Sequence, residues 1–354
     1  MDQDKEVLSK RAGGAERKFD LSHTVAGLVG MAGSLVLGYY FNNLIFGLLA
    51  SFGAMVVSGA ASGETIRQRT IELTRAMIAG TSAVFMGTLI GGLGWLTGGC
   101  IVIISMLAAL LGGMSRPAAI ASTQFMMFTI IGTSMGGGEL HPDSYKLPLY
   151  FATGSMFGLI VALIATFLLP AASRRIVTSP ASHRIISQKL LKRWWHSLKH
   201  FSGWQFTLRV ALCMSAAEVI GIFFQLEKSY WIALTVAIVL QRNVDSALTR
   251  SVQRGIGTAA GVILAGLLLV WTLPPWGDVL MVGIIAALRP IFKNRNYAVY
   301  SMLMTPMMVV MFSIGRTVTG ALLLERLLDT IIGCGLSIVL GCYIWSGKKV
   351  SGTK

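Results

Sequence analysis

The sequence predicts an all-α integral membrane protein with about 12 transmembrane helices, arranged as two parallel six-helix repeats. Of its 354 residues, 54% are hydrophobic and only 13% are charged, whereas about a quarter of the residues are charged in soluble globular domains. Forty glycines are dispersed through the long apolar runs, which suits helices that pack closely in lipid. This composition excludes water-soluble enzymes, disordered chains and collagen-like chains.

Division of the apolar runs at Gly, Pro or charged residues gives twelve candidate helices, because a hydrocarbon core about 30 Å thick requires about twenty apolar residues per helix. The first six are expected at 23–41, 44–62, 73–93, 97–115, 118–136 and 147–170. The second six are expected at 205–224, 229–241, 254–273, 277–292, 296–314 and 321–345. The eighth segment is short for a full span unless its flanks extend it.

These segments divide the chain into two membrane repeats at 23–170 and 205–346. A charged amino-terminal arm at 1–22 precedes them, and no apolar core of a signal peptide fits there. A basic connector at 171–204 joins the repeats, and a short tail follows at 347–354.

The basic residues predict the orientation in the membrane. If the amino terminus is cytoplasmic, the inner side collects all but four of the 30 Lys and Arg residues; the four exceptions are Lys146, Lys228, Arg316 and Arg326. Basic loops are retained in the cytoplasm. Both termini are therefore expected there, and the connector is expected to lie at the lipid surface as a topology determinant, not as a nucleic-acid site.

The two halves also resemble each other in sequence. A constant shift aligns small and polar positions: Gly80-Thr81 with Gly257-Thr258, Thr153 with Thr330, and Gly158 with Gly335. Because six is an even number, both copies would enter the membrane in the same direction, as in transporters whose halves enclose a central path. Chance similarity between apolar segments is the alternative explanation.

The sequence contains no Walker-type loop, no dinucleotide fingerprint and no metalloprotease motif. Its four cysteines form no Cys-x-x-Cys pair, and its five histidines lie in loops or at membrane edges. A disulfide framework or a zinc site is therefore not expected. We expect no cofactor, no metal and no enzymatic activity.

Four motifs follow one another in the second half. They are Tyr230-Trp231-x-x-Leu-Thr, Arg254-x-x-Gly257-Thr258-x-x-Gly261, Asn296-Tyr297 and Asp329-Thr330-x-x-Gly333. Their order and spacing resemble the fusaric acid resistance family, also called the aromatic acid exporter family, over about 205–345. The resemblance implies a bacterial inner-membrane exporter of small aromatic carboxylates, or a protein built on that scaffold. Many members carry a sizeable cytoplasmic domain after each membrane block, for which the connector at 171–204 has no room.

The arginines Arg75 and Arg254 are expected near the cytoplasmic starts of the third and ninth helices. A carboxylate would be favoured there by the positive end of the helix dipole. Gly257, next to Thr258, would let another backbone or a flat aromatic ring come close. The alternative is that the arginines anchor the helices at the inner surface and the glycines pack them.

The other candidates for the substrate path are aromatic, polar or basic. Tyr230 and Trp231 fall near the outer interface, where they would stack on a substrate or form part of an aromatic belt. Asn296 and Tyr297 are candidates through the family motif, and Arg326 completes the set.

Glu218 and Asp329 are expected within the spans at a similar depth, nearer the outer side. Lipid favours the neutral form of a carboxyl group, so such a group can exchange protons during transport. Arg326, one turn before Asp329, would instead hold Asp329 ionised and structural. Glu218 is therefore the preferred proton carrier, with Asp329 as a pairing residue or second relay. The sequence alignment places Ala152 opposite Asp329.

Together these features predict an efflux transporter of small organic anions, driven by the proton gradient because no nucleotide site is present. One alternative is a passive organic-anion channel, since plant malate channels have a distantly similar membrane block. Another is a non-transporting membrane subunit of a larger assembly. The expected partners are the anion and the lipid bilayer, with no nucleic acid; a homo-oligomer or a periplasmic adaptor is left open.

Overall fold

The computed structural model describes residues 21–59, 66–136, 146–168, 192–226, 229–270, 274–293, 295–313 and 320–346. These residues are largely helical, and no β-strand occurs among them. Residues 1–20 of the predicted arm, residues 171–191 of the predicted connector and the whole tail at 347–354 lie outside the described residues, as do Lys228 and Arg316.

Each of the twelve predicted segments contains a helix of ten residues or more. The first six are α1 (Leu21–Tyr40), α2 (Leu44–Ser58), α3 (Ile66–Ile90), α4 (Trp95–Leu111), α5 (Arg116–Met135) and α6 (Lys146–Leu168). The second six are α7 (Phe201–Phe223), α8 (Tyr230–Val239), α9 (Val244–Val270), α10 (Pro275–Lys293), α11 (Tyr297–Ser313) and α12 (Gly320–Ile338). A π-helical turn, Val339–Tyr343, extends α12.

Within the described residues, five helices are long and apolar enough to cross a membrane: α3, α5, α6, α7 and α9. The shorter helices α2, α4 and α8 are also apolar. Many large apolar side chains are exposed on the helix surfaces, including Ile103, Phe167 and Leu267. Such a surface suits contact with lipid. The chain is a multi-pass membrane protein, whereas its number of spans and its two-repeat arrangement stay predictions.

Two helices begin well before their predicted starts. The predicted third and ninth segments start at residues 73 and 254, but α3 begins at Ile66 and α9 at Val244. The prediction ended each apolar run at a charged residue, although Arg, Gln and Glu are good helix formers. At the start of α9, the Asn243 side chain accepts a hydrogen bond from the Asp245 backbone N–H at 3.0 Å.

Helices of the first half pack in pairs that recur six helices later. Four pairs of packed helices in the first half have a counterpart in the second half. Contacts of α2 with α6 and of α3 with α5 correspond to those of α8 with α12 and of α9 with α11. Contacts of α1 with α2 and of α4 with α5 correspond to those of α7 with α8 and of α10 with α11. Two further corresponding contacts, α1 with α10 and α4 with α7, join the halves. This pattern is the one that the repeat hypothesis expects.

The buried faces of α6 and α12 correspond in a register that differs from the sequence alignment. Buried residues on α6 include Phe151, Gly154, Ser155 and Gly158, and those on α12 include Arg326, Asp329, Thr330 and Gly333. Gly158 thus corresponds to Gly333 and not to Gly335, and Asp329 corresponds to Gly154 and not to Ala152. Identical residues at aligned positions of two apolar helices do not show which face of each helix is buried.

Candidate functional site

A buried guanidinium group of α12 lies on an indole ring of α8. Arg326 is only 5% exposed, and its Cζ atom lies 3.6 Å from the centroid of the Trp231 ring. The Tyr230 ring lies next to that indole, with 4.9 Å between the ring centroids. The packing of α8 against α12 brings these side chains together. Sequence analysis placed all three on the substrate path, and the structure makes them neighbours.

The Nε and Nη1 atoms of Arg326 are buried and have no hydrogen-bond partner among the described residues. An unpaired buried donor costs about 1–3 kcal/mol, and more when it is charged. The Trp231 ring attracts the cation but accepts no strong hydrogen bond from these N–H groups. An anionic ligand would provide the missing acceptors.

Arg254 of α9 supplies a second buried cation. It is 3% exposed, its Nε atom is buried without a partner among the described residues, and its charge interacts with that of Arg326. Thr258, one turn later, lies with its hydroxyl 3.4 Å from that of Ser301. Two like charges in a low-dielectric interior repel each other. An anion that contacts both guanidinium groups would relieve this repulsion.

Asp329 is the acid next to these cations. It is 5% exposed on α12 and interacts electrostatically with Arg326 and Tyr230. Asp329 thus supplies a carboxylate near Arg326, whose charge also interacts with that of Arg254. The geometry is compatible with the pairing role considered for Asp329.

Glu218 lies elsewhere, where α7 contacts α4. Its side chain is half-buried, and its Oε2 atom would stand 3.4 Å from a Cβ atom placed on Gly98. No charged group of the described residues interacts strongly with its carboxyl group. Glu218 and Asp329 therefore have different neighbours, and the structure does not join them into one relay.

The prediction that Arg75 and Arg254 stand at helix starts is wrong. Because α3 and α9 begin at Ile66 and Val244, both arginines lie more than two turns inside their helices. The dipole effect falls off within the first turn. Arg75 is also exposed on α3, whereas Arg254 is buried.

Two other candidates have structural contacts. The Asn296 side chain accepts a hydrogen bond from the Ala298 backbone N–H at 3.0 Å, so it caps α11. Gly257 packs against the Ala298 backbone, and a Cβ atom placed there would overlap the Ala298 carbonyl oxygen. This close contact leaves no space at Gly257 for a substrate ring.

Sequence analysis missed several basic residues on the same side of the second half. The Arg250 guanidinium lies 4.5 Å above the Tyr297 ring, and Arg289 is 4% exposed. Arg250 and Arg254, like Arg289 and Lys293, are four residues apart in helices and therefore share a face. This spacing could have predicted a basic cluster, but the sequence analysis explained these residues by the excess of Lys and Arg on the cytoplasmic side.

Comparisons with known proteins support the resemblance. Residues 210–340 match a family model described as fusaric acid resistance protein-like. An uncharacterized protein of Haemophilus influenzae is 34% identical over 141 residues, which is 40% of this chain and 19% of that protein. Inner membrane protein YccS of Escherichia coli is 30% identical over 158 residues, which is 43% of this chain and 22% of that protein. No solved structure matches significantly.

A further relative is the uncharacterized membrane protein YvaC of Bacillus subtilis, 31% identical over 144 residues, or 39% of this chain and 22% of that protein. The chain spans about a fifth of the length of these three relatives. The matched segment contains all four sequence motifs and every residue of the Arg254–Arg326 site. Over residues 210–340, this multi-pass membrane protein is therefore similar to the fusaric acid resistance protein-like family.

Proposed function

We propose that the protein is an inner-membrane efflux transporter of small organic anions, with Arg254 and Arg326 as its anion-binding residues. The observation that carries this proposal is Arg326, which is buried against Trp231 with two unpartnered guanidinium nitrogens. Such an arrangement is costly without a bound anion. The match of this segment to the fusaric acid resistance protein-like family supports transport as the activity.

Aromatic carboxylates suit this site best. A carboxylate can receive paired N–H donors from a guanidinium group. The Tyr230 and Trp231 rings beside Arg326 offer a surface on which a substrate ring would stack with centroids about 4.5–7 Å apart. The family resemblance supports the same substrate class.

Glu218 is the proposed proton carrier. It is half-buried on α7 at the contact with α4, which is one of the two main contacts between the halves. Loss or gain of its charge would change the free energy of the contact between α4 and α7, and therefore between the two halves. A proton moving down its gradient through Glu218 would thus drive the conformational change that exports the anion.

A passive anion channel is the second candidate, and the buried cations favour it as well. A positive interior attracts anions whether or not their movement is coupled to protons. The two functions differ in one respect, because only the transporter accumulates its substrate against a concentration gradient. Both place the protein in the inner membrane with its termini in the cytoplasm.

Reconstituted vesicles test the proposal. The full chain should accumulate radiolabelled benzoate when an imposed proton gradient drives uptake into inside-out vesicles. Arg326→Gln should reduce accumulation at least tenfold, since it removes a charge-assisted contact with the anion. Arg75→Gln is the matched control, because Arg75 is an exposed arginine of the other half, and it should transport normally.

Equilibration of benzoate without accumulation, with or without a proton gradient, would replace the coupled transporter by the channel. Equal accumulation by Arg326→Gln and the unmodified protein would remove Arg326 from the path.

A further inference from the structure

A second group of basic and aromatic side chains lies where α9, α10 and α11 have their predicted cytoplasmic ends. We call it the inner cluster, and it consists of Arg250 on α9, Arg289 and Lys293 on α10, and Tyr297 and Tyr300 on α11. The packing of α11 against both α9 and α10 brings these residues together. None of the five was needed to describe the site at Arg326.

The aromatic members hold Arg250 in place. Its Cζ atom lies 4.5 Å from the centroid of the Tyr297 ring. Tyr297 in turn stacks with Tyr300 at a centroid distance of 5.8 Å and an interplanar angle of 28°. A cation that lies over one ring of a stacked pair is held in position by that ring.

Two polar atoms of the inner cluster are buried without a hydrogen-bond partner among the described residues. They are the Nε atom of Arg250 and the hydroxyl oxygen of Tyr297. Both can donate a hydrogen bond, and they belong to side chains in direct contact. The cost of leaving two adjacent donors unpaired indicates a ligand with acceptor oxygens.

The other two cations have neutral partners on α2. Arg289 donates to the Met55 carbonyl oxygen at 3.0 Å and to the Ser58 hydroxyl at 3.1 Å. Lys293 donates to the Gly59 carbonyl oxygen at 3.1 Å. These contacts satisfy hydrogen bonds, and the carboxyl end of α2 favours cations there, but neither contact supplies a full negative charge.

The interactions among the positive charges of the inner cluster support an anionic ligand. Lys293 interacts electrostatically with Arg289 and Arg250, and all of these interactions are repulsive. No carboxylate of the described residues interacts strongly with Arg289 or Lys293. A bound anion would relieve the repulsion among the three cations.

Tyr300 connects this cluster to the site already described. It interacts with Arg250 and Arg289 of the inner cluster and also with Arg254. Arg254 interacts in turn with Arg326. The cations thus form one continuous series from the exposed Lys293 at the end of α10 to the buried Arg326.

We propose that Arg250, Lys293 and Tyr297 form a second binding site for a small carboxylate, occupied before the anion reaches Arg254 and Arg326. This inference rests on the proposed function, since it assigns the order of two sites on one path. A small carboxylate fits better than a lipid phosphate, because the unpartnered donors of Arg250 and Tyr297 are buried and not exposed on the lipid-facing surface.

Calorimetric titration of the purified full chain with sodium benzoate, in lipid-free neutral detergent, tests the proposal. The unmodified protein should bind two benzoates per chain. Arg250→Gln should weaken one of these sites about tenfold or more, the effect of losing one charge-assisted hydrogen bond. The benzoate-dependent change in Trp231 fluorescence, which reports on the other site, should persist.

Two variants sharpen the assignment. Tyr297→Phe keeps the ring beneath Arg250 but removes the unpartnered hydroxyl, so it should weaken the same site several-fold without unfolding the protein. Arg295→Gln removes a nearby exposed arginine outside the cluster and should leave both sites unchanged.

A single benzoate per chain, with an affinity that Arg250→Gln does not alter, would overturn the second site while leaving the proposed function intact. Binding of anionic lipid vesicles that depends on Arg250, without benzoate binding there, would also overturn it and assign the cluster to a lipid headgroup. Two benzoates per chain without accumulation in the vesicle assay would instead retain the site and contradict the transporter.

Discussion

The contact of α6 with α2 and the contact of α12 with α8 have the same helix arrangement but different chemistry. On α6 the buried face carries Phe151 and Gly154, whereas the corresponding positions of α12 carry Arg326 and Asp329. Gly154 packs directly on the Ala50 backbone of α2, while the Arg326 guanidinium lies on Trp231 of α8. The first contact shows that this arrangement of helices needs no charge, so the charged pair of the second half requires a functional explanation.

The two corresponding junctions between the halves, α1 with α10 and α4 with α7, differ in the same way. Where α1 meets α10, Gly27 faces the Ala286 carbonyl and Gly283 faces the Ala32 side chain, which gives a close apolar contact. Where α4 meets α7, Gly98 faces Glu218 instead. One junction can pack tightly without ionisable groups, and the other places an acid where it can respond to protons.

The largest effect is expected where the close packing of the apolar contact is broken. A Cβ atom at Gly154 would overlap the Ala50 backbone, so Gly154→Leu should prevent recovery of folded protein from detergent extracts. Gly335→Leu is the matched control, because nothing lies within 4 Å of a Cβ atom at Gly335. Size-exclusion chromatography of both variants gives the comparison, and equal recovery would show that the α2–α6 contact tolerates separation.

An intermediate effect is expected at Glu218, where α7 contacts α4. Glu218→Gln keeps the shape of the side chain but cannot titrate, so it should abolish proton-driven accumulation of benzoate. Downhill exchange and benzoate binding should remain, since Glu218 lies apart from Arg326 and its neighbours. If the variant still concentrates benzoate under a proton gradient, Glu218 is a packing residue and the coupling group lies elsewhere.

Hydropathy predicted where the helices lie, because every long apolar run in lipid must satisfy its backbone internally. It misplaced the starts of α3 and α9, since their first turns are polar and look like loops by composition. Family motifs identified Trp231 and Arg254, and Arg326 was identified by its position one turn before Asp329. They did not identify Arg250 or Arg289, because a basic residue near a predicted helix end fits the positive-inside rule equally well.

The alignment of the halves failed for a related reason. Thr330 and Gly335 match Thr153 and Gly158 by letter, but burial pairs Gly333 with Gly158 instead. Small residues are frequent on both faces of membrane helices. Only the three-dimensional structure shows which faces of α6 and α12 are buried, and on these faces the position equivalent to Asp329 is Gly154, not Ala152.

The smallest effect on stability, and the most direct test of the central claim, is expected from replacing Arg326 and Asp329 together by apolar side chains. Removal of one member of a buried charged pair is strongly destabilising, but replacement of both members by apolar residues of similar volume is often neutral or stabilising by about 1–4 kcal/mol. The double variant Arg326→Met, Asp329→Leu should therefore unfold at the same temperature as the unmodified protein or at a higher one, measured in detergent without added anion, while the benzoate response of Trp231 disappears. A protein that unfolds at a much lower temperature, or that still binds benzoate at Trp231 with unchanged affinity, would contradict the assignment of Arg326 as the anion-binding residue.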